Sequence, residues 1–416
     1  MGNPNNIAYR PAPVQAGERI VSLDVLRGVA ILGILILNIQ TFSMIIGTYD
    51  NPTSFPEYYT GVNKWIWDLS YIFARAKFMT IFSLMFGAGV ILMTSRVEKK
   101  GLRSAGVHYR RMLWLIIFGA MHAYLLWYGD ILFSYGICAL LVFVFRKKKP
   151  KTLIILGMSF YLISFLLALF FNWSMPYWPE EAINEQILRW QPSMEMIQNE
   201  ISNYQSGWLD QLNHRIPTSI MIQTMGLLVF VFWNVTGLML IGMALYKLGI
   251  LSAERSKSYY IKMIVPGLVI GFSLTSYGLF NFYKHDWSWE YSLFLGREFN
   301  YWGSLFVGLG YIGVIMLICK SSHFKRFKNW LAPVGRMALT NYLIQTLICT
   351  TIFYGHGLGL FSKVERPGQI MIVIAIWIIQ IIYSNIWLKH FRFGPFEWLW
   401  RSLTYWKIQP FKLTHA

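Results

Sequence analysis

Ile20-Val-Ser22-Leu-Asp24-Val-Leu-Arg27-Gly28-Val-Ala-Ile-Leu-Gly33-Ile-Leu-Ile-Leu-Asn38-Ile39 is the stretch that decides the fold. Crossing roughly 30 Å of hydrocarbon takes about 20 helical residues, and this run supplies them. Residues 1–18 before it are polar, and it carries Asp24 and Arg27 and is too long for a signal-peptide core, so it is expected to remain as a membrane helix. Further apolar runs follow near 70–94, 111–128, 131–146, 152–172, 220–247, 259–283, 301–319, 334–356 and 369–390. The pair at 111–128 and 131–146 is short and joined tightly at Gly129-Asp130. Lipid offers no partner for backbone N–H and C=O, so such runs become helices. The fold class is therefore all-α, a polytopic transmembrane helical bundle of about ten helices.

Composition agrees. Of 416 residues, 55% are hydrophobic and only 13% charged, which places the chain in the membrane class. Aromatic residues make up 17%, enough to furnish the interfacial belts where amphipathic rings sit. A net charge of +18 in a soluble protein would suggest nucleic acid; here the cations lie in short loops between apolar runs, so no nucleic-acid partner is expected. Cys138, Cys319 and Cys349 fall inside apolar runs, which excludes a disulfide framework and gives no metal-ligand spacing.

Placing the N-terminus inside puts most of the 37 Lys and Arg on the cytoplasmic side, in the loops at 96–111, 146–151, 247–262 and 320–336 and in the C-terminal tail. That alternation orients the chain with both termini in the cytoplasm, as expected for a cell (plasma) membrane protein. The expected organisation is a cytoplasmic tail (1–19), an N-terminal five-helix half (20–172), a long external loop (173–219), a C-terminal five-helix half (220–391) and an interfacial tail (392–416). The external loop mixes Trp with Glu and reads as an amphipathic helix or lid lying on the outer face. Gly394-Pro395 stops the last span before an aromatic and basic segment suited to an interfacial helix.

Ionisable groups at membrane depth are costly and face a cavity or a partner. Asp24 and Arg27 share a helix face and pair; either they anchor the helix end, or Arg27 is a fixed cation for a ligand phosphate or carboxylate. Asn38 lies three turns up the same helix. Arg75 and Lys77 sit near the outer surface, where they either snorkel or select an anion. His122 is the histidine placed well inside a run, and Asp130 lies two turns on. The pair reads either as a hydrogen-bonded core or as a general base with its orienting carboxylate. Asn341, Tyr342 and Gln345, like Gln380 and Ser384, lie at mid-depth, where interhelical hydrogen bonding is the simpler account and substrate contact the sharper one. No zinc-type cluster, nucleophile elbow or phosphate loop is present.

Ser22-Leu-Asp24-Val-Leu-Arg27-Gly28, Asn38, Phe82-Ser-Leu-Met-Phe-Gly87-Ala-Gly89, His122, Gly129-Asp130-Ile-Leu and Tyr135 resemble the N-terminal half of YeiB-like bacterial membrane proteins. Gly335-Arg336-Met-Ala-Leu-Thr-Asn341-Tyr342 and Phe393-Gly394-Pro395-Phe-Glu397-Trp398-Leu-Trp400-Arg401 resemble that family's C-terminal domain of unknown function. The family is distantly similar to transmembrane acyltransferases, such as heparan-alpha-glucosaminide N-acetyltransferase and the bacterial enzymes that O-acylate surface sugars. In the sugar-acylating group a helix-1 Arg is followed eleven positions later by a His taken as catalytic; here Arg27 has that spacing to position 38, which is Asn. The loop at 47–69, where the heparan enzyme carries its His, has none.

What the resemblance implies is an acyltransferase moving an acyl group from a cytoplasmic donor to a hydroxyl or amine acceptor, a small molecule or glycan, near the outer face. In that reading acyl-CoA is the co-substrate, without a covalently bound cofactor. Neither family histidine carries over, so the site is read from this chain's own residues. Arg27 and Arg336 hold the diphosphate, Asn38 positions the carbonyl, and His122 with Asp130 deprotonates the acceptor; Asp24, Arg75, Lys77, Tyr135, Asn341, Tyr342 and Gln345 complete the substrate-binding set. The alternative is a permease whose solute path uses the same buried groups. Membrane lipids are partners in either case, and oligomer formation is left open.

Overall fold

The computed structural model describes residues 19–413, so the N-terminal tail other than Arg19 lies outside the described residues. The main helices are α1 (Val21–Ser43), α2 (Gly61–Phe73), α3 (Lys77–Lys99), α4 (Ser104–Leu125), α5 (Leu132–Val142), α6 (Pro150–Ser174), α7 (Glu180–Trp190) and α8 (Met194–Gln205). Then come α9 (Leu212–Met221), α10 (Phe232–Lys247), α11 (Lys257–Lys284), α12 (Leu295–Lys320), α13 (Lys325–Arg336), α14 (Ala338–Phe353), α15 (Arg366–His390) and α16 (Pro395–Tyr405). The apolar runs in the sequence are helical, one of them interrupted, and the fold is an all-α bundle. Among the described residues, 7 helical stretches are long and apolar enough to cross a membrane, with shorter apolar helices at Leu132–Phe145 and Ala338–Phe353.

Burial ranks the helices. The apolar stretch of α1 is 72% buried and forms the axis, whereas that of α15 is 22% buried and sits at the rim. On α15 the exposed large apolar residues are Met371, Ile374, Ile378, Ile379, Ile382 and Ile386, a helical stripe suited to lipid, while Gln369, Gln380 and Ser384 point inward. The amphipathicity is thus inverted relative to a soluble helix: the polar stripe is what must be hidden. Without a hydrophobic drive between helices in lipid, close packing holds them together, and small residues permit it. A Cβ on Gly242 of α10 would stand 1.8 Å from the Leu84 carbonyl of α3, so those two backbones touch.

Two segments differ from the sequence reading, and a third holds more helices than that reading placed there. The run at 70–94 is not one helix: α2 ends at Phe73 and α3 starts at Lys77, with Ala76 left-handed at φ 64°, so Arg75 and Lys77 stand at a break. The segment at 320–336, read as a loop, contains α13, which crosses α1 where Gly28 and Gly335 meet; a Cβ on Gly335 would lie 1.8 Å from the Asp24 carbonyl. Residues 173–219 fold as a two-helix cap, α7 and α8, followed by α9, which continues through a π-helical stretch at Ile222–Val231 into α10. The cap is tied down by the Ile46 N–H donating to Glu200 (2.8 Å), the Asn51 amide to the Trp190 carbonyl (2.9 Å) and the Trp190 indole to the Trp287 carbonyl (2.7 Å).

Candidate functional site

At the basic end of the bundle, the start of α1, the end of α3, the start of α4 and the end of α13 surround a cavity of about 330 Å³, roofed by α16. Arg19, Arg27, Arg96, Arg111, Arg336 and Arg401 line its mouth, and Ile31, Ile34, Phe82, Met85 and Phe86 its shaft. Two acids share the lining. Asp24 is taken by Arg27 (3.1 Å) and Arg19 (3.7 Å). Glu397 is turned away: its carboxylate accepts from the Leu339 and Thr340 N–H groups (2.7 and 3.0 Å) and the Thr340 hydroxyl, capping α14.

Several cations therefore stand without a carboxylate among the described residues. Arg111 lies 4.0 Å from the Trp400 ring centre, Arg401 lies 4.7 Å from that of Phe393, and the Nε of Arg336 is buried with no hydrogen-bond partner. Burial lowers the Arg401 pKa, and burial together with the neighbouring Arg27 and Arg96 charges lowers that of Arg19. Crowded, part-desolvated guanidinium groups make a strong anion field, since a bound anion relieves both their repulsion and their lost hydration. A cationic mouth over an apolar shaft suits a ligand with an anionic head and an apolar or uncharged arm.

Tyr342, Ile131 and Leu132 form part of the cavity wall. Tyr342 packs on His122, with ring centres 5.0 Å apart, and separates it from the cavity. His122 Nδ1 is 2.8 Å from Asp130 Oδ2, and its Nε2 is 2.9 Å from the Thr346 hydroxyl. All three side chains are buried. Asp130 also accepts the Phe133 N–H (2.8 Å), so the start of α5 holds the carboxylate in place. With a carboxylate on Nδ1, that nitrogen carries the proton and Nε2 offers its lone pair to a hydroxyl. The result is an Asp–His–Thr chain with the connectivity of a base, its orienter and an alcohol.

Thr346 was not singled out from the sequence. A threonine in an apolar helix is ordinary, and its one local signal is that it lies one turn after Tyr342, on the same face.

The remaining residues fall into separate places. Asn341 and Gln345 spend their groups between helices: Asn341 donates to the Val334 carbonyl (3.0 Å) and accepts from Tyr383 (2.6 Å), while Gln345 donates to Gln380 (2.9 Å) and the Ile31 carbonyl (3.2 Å). Tyr135 shares a 2.7 Å hydrogen bond with Ser83. Asn38 is half-buried and lines neither large cavity. Arg75 forms an ion pair with Asp50, which Arg297 also reaches at 2.6 Å. Lys77 is fully buried and donates to the Tyr71 carbonyl (3.0 Å) and to Asn300. Neither snorkels freely: Arg75 is held by an acid and Lys77 by neutral oxygens.

Fold and site together define a multi-pass helical membrane protein with a cationic cavity at one end and a buried acid–histidine–threonine chain behind its wall. The chain belongs to the family of YeiB and YxaH. It is 34% identical to the Escherichia coli (strain K12) protein YeiB, over 93% of this chain and 96% of that one. It is 33% identical to Bacillus subtilis (strain 168) YxaH over 96% and 97% of the two chains. A 39.9 kDa protein from the amylase 3' region of Bacillus acidopullulyticus is 29% identical over 94% and 96%. Residues 245–407 match the domain described as a protein of unknown function, DUF418.

Proposed function

We propose that the protein is a membrane-embedded acyltransferase that takes an acyl group from a cytoplasmic donor, acyl-CoA, and passes it to a hydroxyl or amine near the outer face. One observation carries the reading: the basic-end cavity, whose uncompensated Arg336, Arg111 and Arg401 suit phosphates and whose apolar shaft suits an acyl-pantetheine arm. In this reading Arg27 and Arg336 hold the diphosphate at the mouth. His122 is the general base, oriented by Asp130, and the Thr346 hydroxyl occupies the place on Nε2 that the acceptor takes. Rotation of Tyr342 joins the cavity to the histidine. Membrane lipid surrounds the bundle at the exposed α15 stripe.

The test is equilibrium binding of CoA to the purified protein. Affinity is expected to fall as salt rises, because exposed charges are screened beyond about 10 Å at 0.1 M, and to fall further in Arg27→Ala. Salt-insensitive binding, or none, removes the donor assignment.

A permease is the second reading, and one observation favours it. A second cavity, of about 250 Å³, opens at the opposite end of the bundle and includes Ser83 in its wall, while the neighbouring Phe82 lines the first. Tyr135 stands between them, bonded to Ser83 and stacked on Phe82. CoA binding separates the readings, since a permease gives no reason for it.

Residence in the plasma membrane with both termini cytoplasmic belongs to the same proposal, supported by the basic loops. Reporters fused after Ala416 and inserted near Glu195 are expected on opposite sides, cytoplasmic and external. Signals from one side overturn the orientation.

A further inference from the structure

The second cavity has its own chemistry. The first turn of α12 contributes Arg297 and Glu298, the break between α2 and α3 contributes Arg75, and Asp50 comes from the segment after α1. Its back wall is the π-helical stretch and the start of α10, with Phe230 and Asn234, faced by Phe294 and Tyr301.

Two poles can be told apart. At the first, Arg75 and Arg297 share the single carboxylate of Asp50, which leaves one positive charge over. Arg297 and Asp50 are still 39% and 37% exposed there, so this pole is open to an incoming group. At the second, Glu298 makes no ion pair, and its Oε2 is buried with no hydrogen-bond donor among the described residues. A buried carboxylate oxygen without a donor is expensive, and an ammonium supplies both charge and donors. The aromatic faces beside it, Phe294, Phe230 and Tyr301, add the attraction that ring quadrupoles hold for cations. The two poles nearly cancel, so the cavity as a whole favours neither a net anion nor a net cation.

We propose that this cavity binds a small ammonium-bearing zwitterion, with the ammonium on Glu298 and the anionic group at the Arg75–Asp50–Arg297 mouth. A volume of about 250 Å³ limits the occupant to the size of an amino acid or a phosphoethanolamine group. Either a free solute or the headgroup of an aminolipid carries that chemistry. The site stands apart from the donor cavity, and none of the probes below contains CoA, so the two assignments fail separately.

The experiment is equilibrium binding of free phosphoethanolamine to the detergent-purified protein, with glycerol 3-phosphate as the probe that keeps the anion and lacks the ammonium. Phosphoethanolamine is expected to bind and glycerol 3-phosphate to bind at least about tenfold more weakly, the usual scale for one charge-assisted hydrogen bond. Glu298→Gln, which keeps the shape and removes the charge, is expected to erase that difference. Native mass spectrometry from nanodiscs of phosphatidylethanolamine and phosphatidylglycerol distinguishes the sources: retained phosphatidylethanolamine that Glu298→Gln releases identifies a lipid headgroup, whereas binding of the free probe alone identifies a solute. Equal affinity for both free probes in the wild-type protein overturns the proposal without reliance on any variant. Absence of both free-probe binding and lipid retention overturns it as well.

Discussion

His122→Ala is expected to lower acyl transfer by roughly 10²–10⁴-fold, the contribution of a positioned general base. The alanine variant also strands a buried carboxylate. Asp130 Oδ2 loses the Nδ1 partner at 2.8 Å and keeps only the Phe133 N–H on its other oxygen. Removing one partner of a buried pair costs several kcal/mol, on the order of 3–5, so activity and thermal unfolding must be read together. His122→Gln resolves the ambiguity because its amide can bond both Asp130 and Thr346 but cannot take a proton from an acceptor at this pH. A structural histidine tolerates that change, and a base does not. Asp130→Asn is expected to reduce the rate as well, since a neutral amide no longer stabilises the imidazolium that forms. Full transfer activity in His122→Gln with an unchanged unfolding temperature would sink the mechanism and leave the bundle untouched.

Gly335→Ala is expected to produce a large structural effect for a single methyl group. The new Cβ would stand 1.8 Å from the Asp24 carbonyl oxygen, and the opposing Gly28 already brings its own backbone N within 2.7 Å of that position. Both obstacles are backbone, so no rotamer change relieves them and α13 has to move away from α1. Overpacking of this kind costs about 1–3 kcal/mol, and backbone collisions lie at the upper end. The displacement carries Arg336 away from Arg27, whose guanidinium reaches the Gly335 carbonyl at 3.4 Å. CoA affinity should therefore fall together with the unfolding temperature. Gly106→Ala is the matched control: its Cβ would meet nothing closer than 4.0 Å, at a flexible Arg110 nitrogen. It should leave the unfolding temperature unchanged or raised, because alanine favours a helix over glycine by about 1 kcal/mol. Equal behaviour of the two variants would show that the α1–α13 contact tolerates expansion.

The His122–Asp130 pair was legible because both members lie close in the chain, joined by the short non-helical connection between α4 and α5 that folds the carboxylate back onto the imidazole. Thr346 was not: it meets His122 from 224 residues away. The same holds for the cavity mouth. Arg27 and Arg336 could be named as cations near one membrane face, but Arg401 joins them because Glu397 anchors α16 to the first turn of α14. Glu298 drew no notice in the sequence, where an acid beside an arginine in a helix's first turn looks solvated. Its significance arises from tertiary placement, which puts it in the wall of the second cavity with a buried Oε2 that has no donor among the described residues.

By itself the sequence determined what depends on local solvation. Hydrophobic runs long enough for the bilayer must close their backbone hydrogen bonds within themselves, so the all-α class and the places of the apolar helices follow from composition along the chain. It did not determine which backbones touch. The break at Ala76, the helix hidden in 325–336 and the two cavities depend on how helices cross once inside the membrane. There, polar side chains gain or lose partners according to packing between residues hundreds of positions apart, and the hydropathy of a single segment carries no record of that choice.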